Sequence, residues 1–229
     1  MSEIVLHISD MKKTTTSLKS DLLARIGFAS PKKIWTARDF LDLGPRDTVD
    51  KTLQRLTTDG SLRRVARGLY DVPSLNPLTK KNNPANTREV IDAVARRDQI
   101  RLLVDGITAA NDLGFTNAVP AKIVVHTDSR LKTINLGNLT IVFKTTAASK
   151  LYWAGRPAMR IVQALHWLRD TLGQEEGQDK KVQDHLLMLL KDDEQGAVLR
   201  EDLTSGFATL PAWMQSLLRP MLNKAGLGQ

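Results

Sequence analysis

Eight side chains between Arg46 and Arg67 are of the types that recognise a nucleic-acid duplex: Arg46, Thr48, Lys51, Gln54 and Arg55, followed by Arg63, Arg64 and Arg67. Each type has its own chemistry. A glutamine carboxamide matches the N6/N7 edge of adenine, and an arginine guanidinium matches the O6/N7 edge of guanine. Arginines that meet phosphates supply affinity and set register without reading sequence. Lys51, Gln54 and Arg55 are therefore predicted to read base edges, and Arg63, Arg64 and Arg67 to neutralise phosphates. The competing reading is a purely structural domain with a solvated basic face. Two cationic groups following each other on consecutive elements favour recognition.

The elements that position these groups are legible around them. Val49, Leu53 and Leu56 recur at i, i+4 and i+7, which predicts a helix with one buried stripe. At about 100° per residue its opposite face carries Lys51, Gln54, Arg55 and Thr58, with Arg46 and Thr48 near the start. Pro45 suits the first helical position after Gly44. Asp47, in the first turn, is read as answering the helix dipole rather than as a base contact. Asp59-Gly60 stops the helix. Residues 62–65 and 69–72 then read as two short strands around Ala66-Arg67-Gly68, with Pro73 ending the second. A helix feeding a basic hairpin is the second half of a winged helix-turn-helix, whose helix enters the major groove while the hairpin touches phosphates.

The preceding residues complete that unit. Leu18, Leu22 and Ile26 predict a first helix, with Gly27 at its C-terminal end. Thr36 and Asp39 form a helix-start signal, and Trp35 is placed to pack on Phe40 as a hydrophobic staple. A short second helix and a tight turn over residues 43–45 follow. Residues 1–16 read as a flexible arm carrying Lys12 and Lys13.

The whole chain has 229 residues, 41% hydrophobic and 25% charged, which describes a globular chain long enough for two domains. No apolar run approaches the ~20 residues of a membrane span, and no basic-then-apolar leader opens the sequence. Cysteine is absent, so disulfides and thiolate metal sites are excluded, and a cytoplasmic location is expected by default. The net charge of +8 favours polyanions. It is unevenly spread: residues 1–80 hold 14 Lys and Arg against 9 Asp and Glu, residues 81–150 hold 10 against 6, and residues 151–229 hold 9 against 10.

Residues 74–85, with two prolines and three asparagines and no apolar period, read as a linker. Beyond it, Thr87 opens a helix with Val90, Ile91 and Val94 on one side. Strands are predicted over 100–104, 121–125, 131–136 and 139–143, the last two joined by Gly137-Asn138, with a short helix over 108–113. Three helices are then expected, on the stripes Ile161-Val162-Leu165-Leu168, Val182-Leu186-Leu189-Leu190, and Trp213-Leu217-Leu218 behind Pro211. The expected fold class is α+β: a winged helix-turn-helix over residues 17–73, then over 86–229 a mixed α/β domain ending in a helical part.

The order of these features resembles the AbiEi-like antitoxins of bacterial type IV toxin–antitoxin systems. Behind the winged helix come Asn111-Asp112-Leu113-Gly114 and Val119-Pro120-Ala121-Lys122, and the resemblance covers residues 17–170. It implies an N-terminal domain that binds inverted repeats in its own promoter and represses the operon, a C-terminal antitoxin-type domain, and a cognate nucleotidyltransferase toxin as partner. It also implies pairing on DNA, as monomers or a weak dimer. It assigns no chemistry to Asn111 or Lys122.

Catalysis is not expected. His7, His126, His166 and His185 are scattered, no metal-ligand spacing appears, and no Gly-rich phosphate loop is present. Asp105 and Asp128 follow strand-like runs, where aspartate is usually a turn residue. No cofactor or metal is therefore expected. Two rivals to the antitoxin reading remain: a ligand-responsive winged-helix regulator with a pocket around Asp105, Asn111 and His126, and an interaction protein whose winged helix meets protein.

Overall fold

The computed structural model describes residues 17–29, 32–118, 120–170, 172 and 178–226. The arm predicted over 1–16 lies outside the described residues, as do Val119 and residues 173–177. The architecture is α+β, with eight α-helices and two small sheets among the described residues. The chain divides into two compact units, 1–83 and 84–229. None of the described helices is long and apolar enough to cross a membrane.

In the first unit, α1 (Leu18–Phe28) starts where the Ser17 hydroxyl accepts the Ser20 N–H, and it buries Leu22 and Ile26. It runs one residue past Gly27, the expected stop, because its C-cap falls at Ala29. The start signal at Thr36 produces a single 3-10 turn over Ala37–Phe40 rather than an α-helix. The Asp39 carboxylate accepts both the Thr36 N–H, at 2.7 Å, and the Thr36 hydroxyl, at 2.9 Å. Trp35 stacks on Phe40 with ring centroids 5.0 Å apart, as the staple predicts.

α2 (Arg46–Thr58) begins one residue later than expected, with Pro45 as its cap. It buries Val49, Thr52, Leu53 and Leu56 against Leu22, Ile26, Trp35 and Phe40. Gly60, at φ +80°, takes the left-handed conformation that ends a helix at little cost only for glycine. The Leu62 N–H then donates to the Leu56 carbonyl at 2.9 Å, turning the chain into β1 (Arg63–Ala66). β1 pairs antiparallel with β2 (Leu69–Asp71), placing Arg63 opposite Asp71 and Arg64 opposite Tyr70, with an irregularity between Arg64 and Ala66.

Residues 74–83, within the expected linker, form a hydrogen-bonded turn. Leu75 bridges Asn82, and the Asn83 N–H donates to the Ser74 carbonyl at 2.7 Å. The Asn76 side chain accepts the N–H groups of Leu78 and Thr79, closing the turn between. The boundary between units falls at its end, between Asn83 and Pro84.

The second unit opens with α3 (Thr87–Asp98), capped by Asn86 rather than by Thr87. Its sheet joins β3 (Leu103–Val104), β4 (Lys122–Thr127), β5 (Ile134–Leu136) and β6 (Leu139–Thr145) in the order β3-β4-β6-β5. β4 and β6 run parallel, and the outer pairs are antiparallel. α4 (Gly106–Asp112) packs on α5 (Met159–Leu168). α6 (Gln178–Lys191), α7 (Gly196–Ser205) and α8 (Ala212–Gly226) complete the unit. α7 has no counterpart in the sequence reading. Its apolar stripe is short, with Leu203 its buried side chain beside Gly196, and it is held largely by polar contacts to elements elsewhere in the unit. The Arg156 guanidinium reaches the Asp202 carboxylate at 3.0 Å and the Ser205 hydroxyl at 2.6 Å, while Asp202 also accepts the Ala158 N–H.

Candidate nucleic-acid interface

α2 and the hairpin enclose an open hollow of about 660 Å³ within the first unit. From α2 it is lined by Arg46, Asp47, Asp50, Lys51, Gln54, Thr57 and Thr58, and from the hairpin by Arg64, Arg67, Gly68 and Tyr70. Four cations face two carboxylates there, so the hollow carries a positive excess suited to a polyanion. Helical spacing explains the α2 side. The stripe buried by Val49, Leu53 and Leu56 forces the residues half a turn away outward, and Lys51, Gln54 and Thr58 occupy that outer line.

Strand alternation decides the hairpin side. Successive residues of a strand point to opposite faces, so Arg63 and Arg64 cannot both face α2. Arg64 is exposed and shares the hollow with its cross-strand partner Tyr70. Arg63 takes the other face, where its guanidinium Nε donates to the Asp71 carboxylate at 2.9 Å and Nη1 to the Asn83 carbonyl at 2.8 Å. The Asp71 side chain is only 7% exposed, so Arg63 compensates a buried charge and ties the hairpin to the segment before Pro84. Its expected place beside Arg64 and Arg67 is corrected accordingly. Gly68, at φ +69°, makes the sharp turn that leaves Arg67 exposed at the hairpin tip.

Arg46, Thr48 and Arg55 are exposed but differ in placement. Arg46 lines the hollow and reaches Asp50 one turn on, at 2.9 Å. Thr48 and Arg55 lie on a flank of α2, outside the lining set, because both stand about a quarter turn from the central line. Tyr70 and Asp47 belong to the hollow although the sequence marked neither as a contact. For Tyr70 the signal was its register opposite Arg64.

Ion pairs brace the scaffold beneath. Lys19 Nζ sits 2.7 Å from Asp59 Oδ2, joining α1 to the end of α2. That lysine, with Ser61, lowers the Asp59 carboxyl to about 2. Arg25 pairs with Asp42 at 2.6 Å and donates to the Asp39 carbonyl at 2.7 Å.

The second unit does not gather Asp105, Asn111 and His126 into a site. Asp105 caps α4 by accepting the Thr108 N–H at 2.8 Å and accepts the Val124 N–H at 2.7 Å with its other oxygen. Asn111 donates to the Thr116 carbonyl at 3.1 Å, and His126 Nδ1 lies 2.8 Å from the Thr146 hydroxyl. Lys122 is exposed at the start of β4. His185 must carry a proton on Nε2, since that nitrogen donates to the Leu113 carbonyl at 2.6 Å. Among the described residues no three His, Asp or Glu side chains are grouped to hold a metal ion. A hollow of about 400 Å³ in this unit, among α3, residues 155–160 and α7, is lined by other residues, including Ile91, Leu102, Met159 and Val198.

A family model described as a family of unknown function, DUF6088, matches residues 26–198. The chain belongs to the DUF6088 family. The match runs from the end of α1 into α7, so this DUF6088 member carries α2, the hairpin, the mixed sheet, α5 and α6 inside the family region. No curated protein matches the chain.

Proposed function

We propose that the first unit is a winged helix-turn-helix that binds double-stranded DNA, with α2 in the major groove and the β1–β2 hairpin as the wing. The observation that carries this reading is the shared hollow of Lys51, Gln54, Arg64 and Arg67. It combines a glutamine able to pair with adenine and cations able to meet phosphates on two rigid elements braced by one core. Trp35 bridging Tyr70 supports it, because a third extended segment beside the hairpin is what a wing needs to stand at a fixed angle to its helix.

On the resemblance to AbiEi-like antitoxins, the protein is a cytoplasmic repressor of its own operon, and it counteracts a nucleotidyltransferase-type toxin encoded beside it. The support for this part is the order of the 111–114 and 119–122 strings behind the first unit. It is tested by footprinting the full chain on the promoter upstream of its own gene, with salt varied. Protection of an inverted repeat, with affinity falling linearly in log salt, is the expected result. Equal affinity for promoter and random duplex removes the repressor, and binding indifferent to salt removes the duplex as partner. A nucleotidyltransferase reading frame next to the gene, whose toxicity is relieved by co-expression, is the corresponding test of the toxin pairing.

A further inference from the structure

Asp47, Lys51, Gln54 and Thr58 follow one another at i, i+4, i+7 and i+11, and all four line the hollow. They form a single line along the exposed face of α2. A carboxylate at the head of this line is out of place on a surface meant for phosphates. Its neighbour Asp50 is held by Arg46 at 2.9 Å, whereas Asp47 is exposed and draws no ion pair among the described residues. The helix dipole accounts for an acid in the first turn but not for its azimuth, since the dipole acts along the axis and is indifferent to which side the acid occupies. Thr48 stands in the same turn on the flank. Asp47 stands on the groove-facing line.

An ionised carboxylate only accepts hydrogen bonds. On the floor of a major groove it is repelled by the O6 and N7 of guanine and by the O4 of thymine. The amino group of adenine sits beside the N7 acceptor, so the second carboxylate oxygen is opposed there. The N4 amino group of cytosine is the matching edge.

Resting on the DNA-binding reading above, we propose that Asp47 accepts a hydrogen bond from the N4 amino group of a cytosine and is a specificity-determining residue of α2. Asp47 and Gln54 are seven residues apart, about 10 Å of helix rise and about three base-pair steps. A helix lying along the groove floor therefore reads a cytosine and an adenine separated by roughly that spacing.

The test is selection of bound duplexes from a randomised pool by the full chain, its Asp47→Ala variant and its Asp47→Asn variant. The wild type is expected to enrich a cytosine that Asp47→Ala no longer enriches, with the rest of the motif kept. Asp47→Asn is expected to move that position to adenine, whose N6/N7 edge suits a carboxamide. Placing N4-methylcytosine at the position removes the amino hydrogen that faces the groove and should weaken wild-type binding roughly tenfold or more. That last measurement needs no protein variant and decides the matter should either variant fail to fold. The same cytosine enriched by wild type and Asp47→Ala, or N4-methylcytosine tolerated throughout, overturns the inference and leaves DNA binding intact. A wild type that enriches no sequence overturns both.

Discussion

The Trp35 N–H donates to the Tyr70 carbonyl at 2.7 Å, and the Tyr70 N–H donates back to the Trp35 carbonyl at 2.9 Å. This reciprocal pair joins two parts of the first unit that are distant in sequence. Trp35 also stacks on Phe40 and is 2% exposed, while Tyr70 opens onto the hollow beside Arg64. One residue thus couples the core under α2 to the angle of the hairpin.

Trp35→Ala removes a buried aromatic and should destabilise the first unit by about 3 to 5 kcal/mol. Denaturant melts of the full chain should then show an early transition for this unit, with the transition of the second unit unmoved. A single unshifted transition would show that Trp35 does not hold the core.

Arg63 and Arg64 are adjacent yet should fail in opposite ways. Arg64→Ala should weaken binding to all duplexes alike and reduce the salt slope by about one, with the melting temperature unchanged. Arg63→Ala leaves the Asp71 carboxylate buried without its guanidinium and should cost about 1 to 3 kcal/mol of stability. Its DNA affinity, measured well below the melting temperature, should stay close to wild type. Loss of DNA affinity without loss of stability in Arg63→Ala would reverse the assignment.

Gln54→Ala should relax base preference at one position at a cost of about 1 to 3 kcal/mol for the preferred duplex while leaving random duplex binding intact. Arg55→Ala, on the flank of α2, should lose less discrimination than Gln54→Ala in the same competition assay. A larger effect at Arg55 would place the groove-facing line on the wrong side of the helix.

Gly106 has a packing requirement rather than a conformational one. A Cβ there would lie 2.6 Å from the Trp167 Cβ and 2.8 Å from the Gln163 carbonyl oxygen. Gly106→Ala should therefore push α4 from α5 and destabilise the second unit by about 1 to 3 kcal/mol, read as a lower melting temperature. An unchanged melting temperature would show that the two helices yield freely.

The second unit should lose stability in mild acid. Burial, then the nearby Lys144, lowers the His126 pKa against a smaller opposing effect of Asp105, and burial, then Arg169, lowers that of His166. A histidine depressed in the folded state binds its proton more readily when unfolded, so its contribution is full above the ordinary value near 6.5 and falls as pH drops toward the folded value. Lys144→Ala should raise the His126 pKa seen by NMR titration and reduce this pH dependence. A His126 titration unmoved by Lys144→Ala would leave desolvation as its cause.

Local rules sufficed for much of this protein. The spacing of Val49, Leu53 and Leu56 determined which side of α2 is buried, because periodicity and burial are tied by the geometry of a helix. The Trp35–Phe40 staple, the Gly60 stop and the β5–β6 hairpin were likewise settled by residues close in sequence. Contacts between distant residues were not. Whether Arg63 or Arg64 faces α2 depends on strand register, and one step of register exchanges the two faces. Asp71 captures Arg63 and thereby sends Arg64 to the hollow. The bridge from Trp35 to Tyr70 and the anchoring of α7 through Arg156 and Asp202 also join residues far apart in sequence. The chain by itself determined the composition of the cationic surface. Tertiary pairing decided which of its arginines and carboxylates share one face, because a charge with a buried partner is no longer available to a ligand.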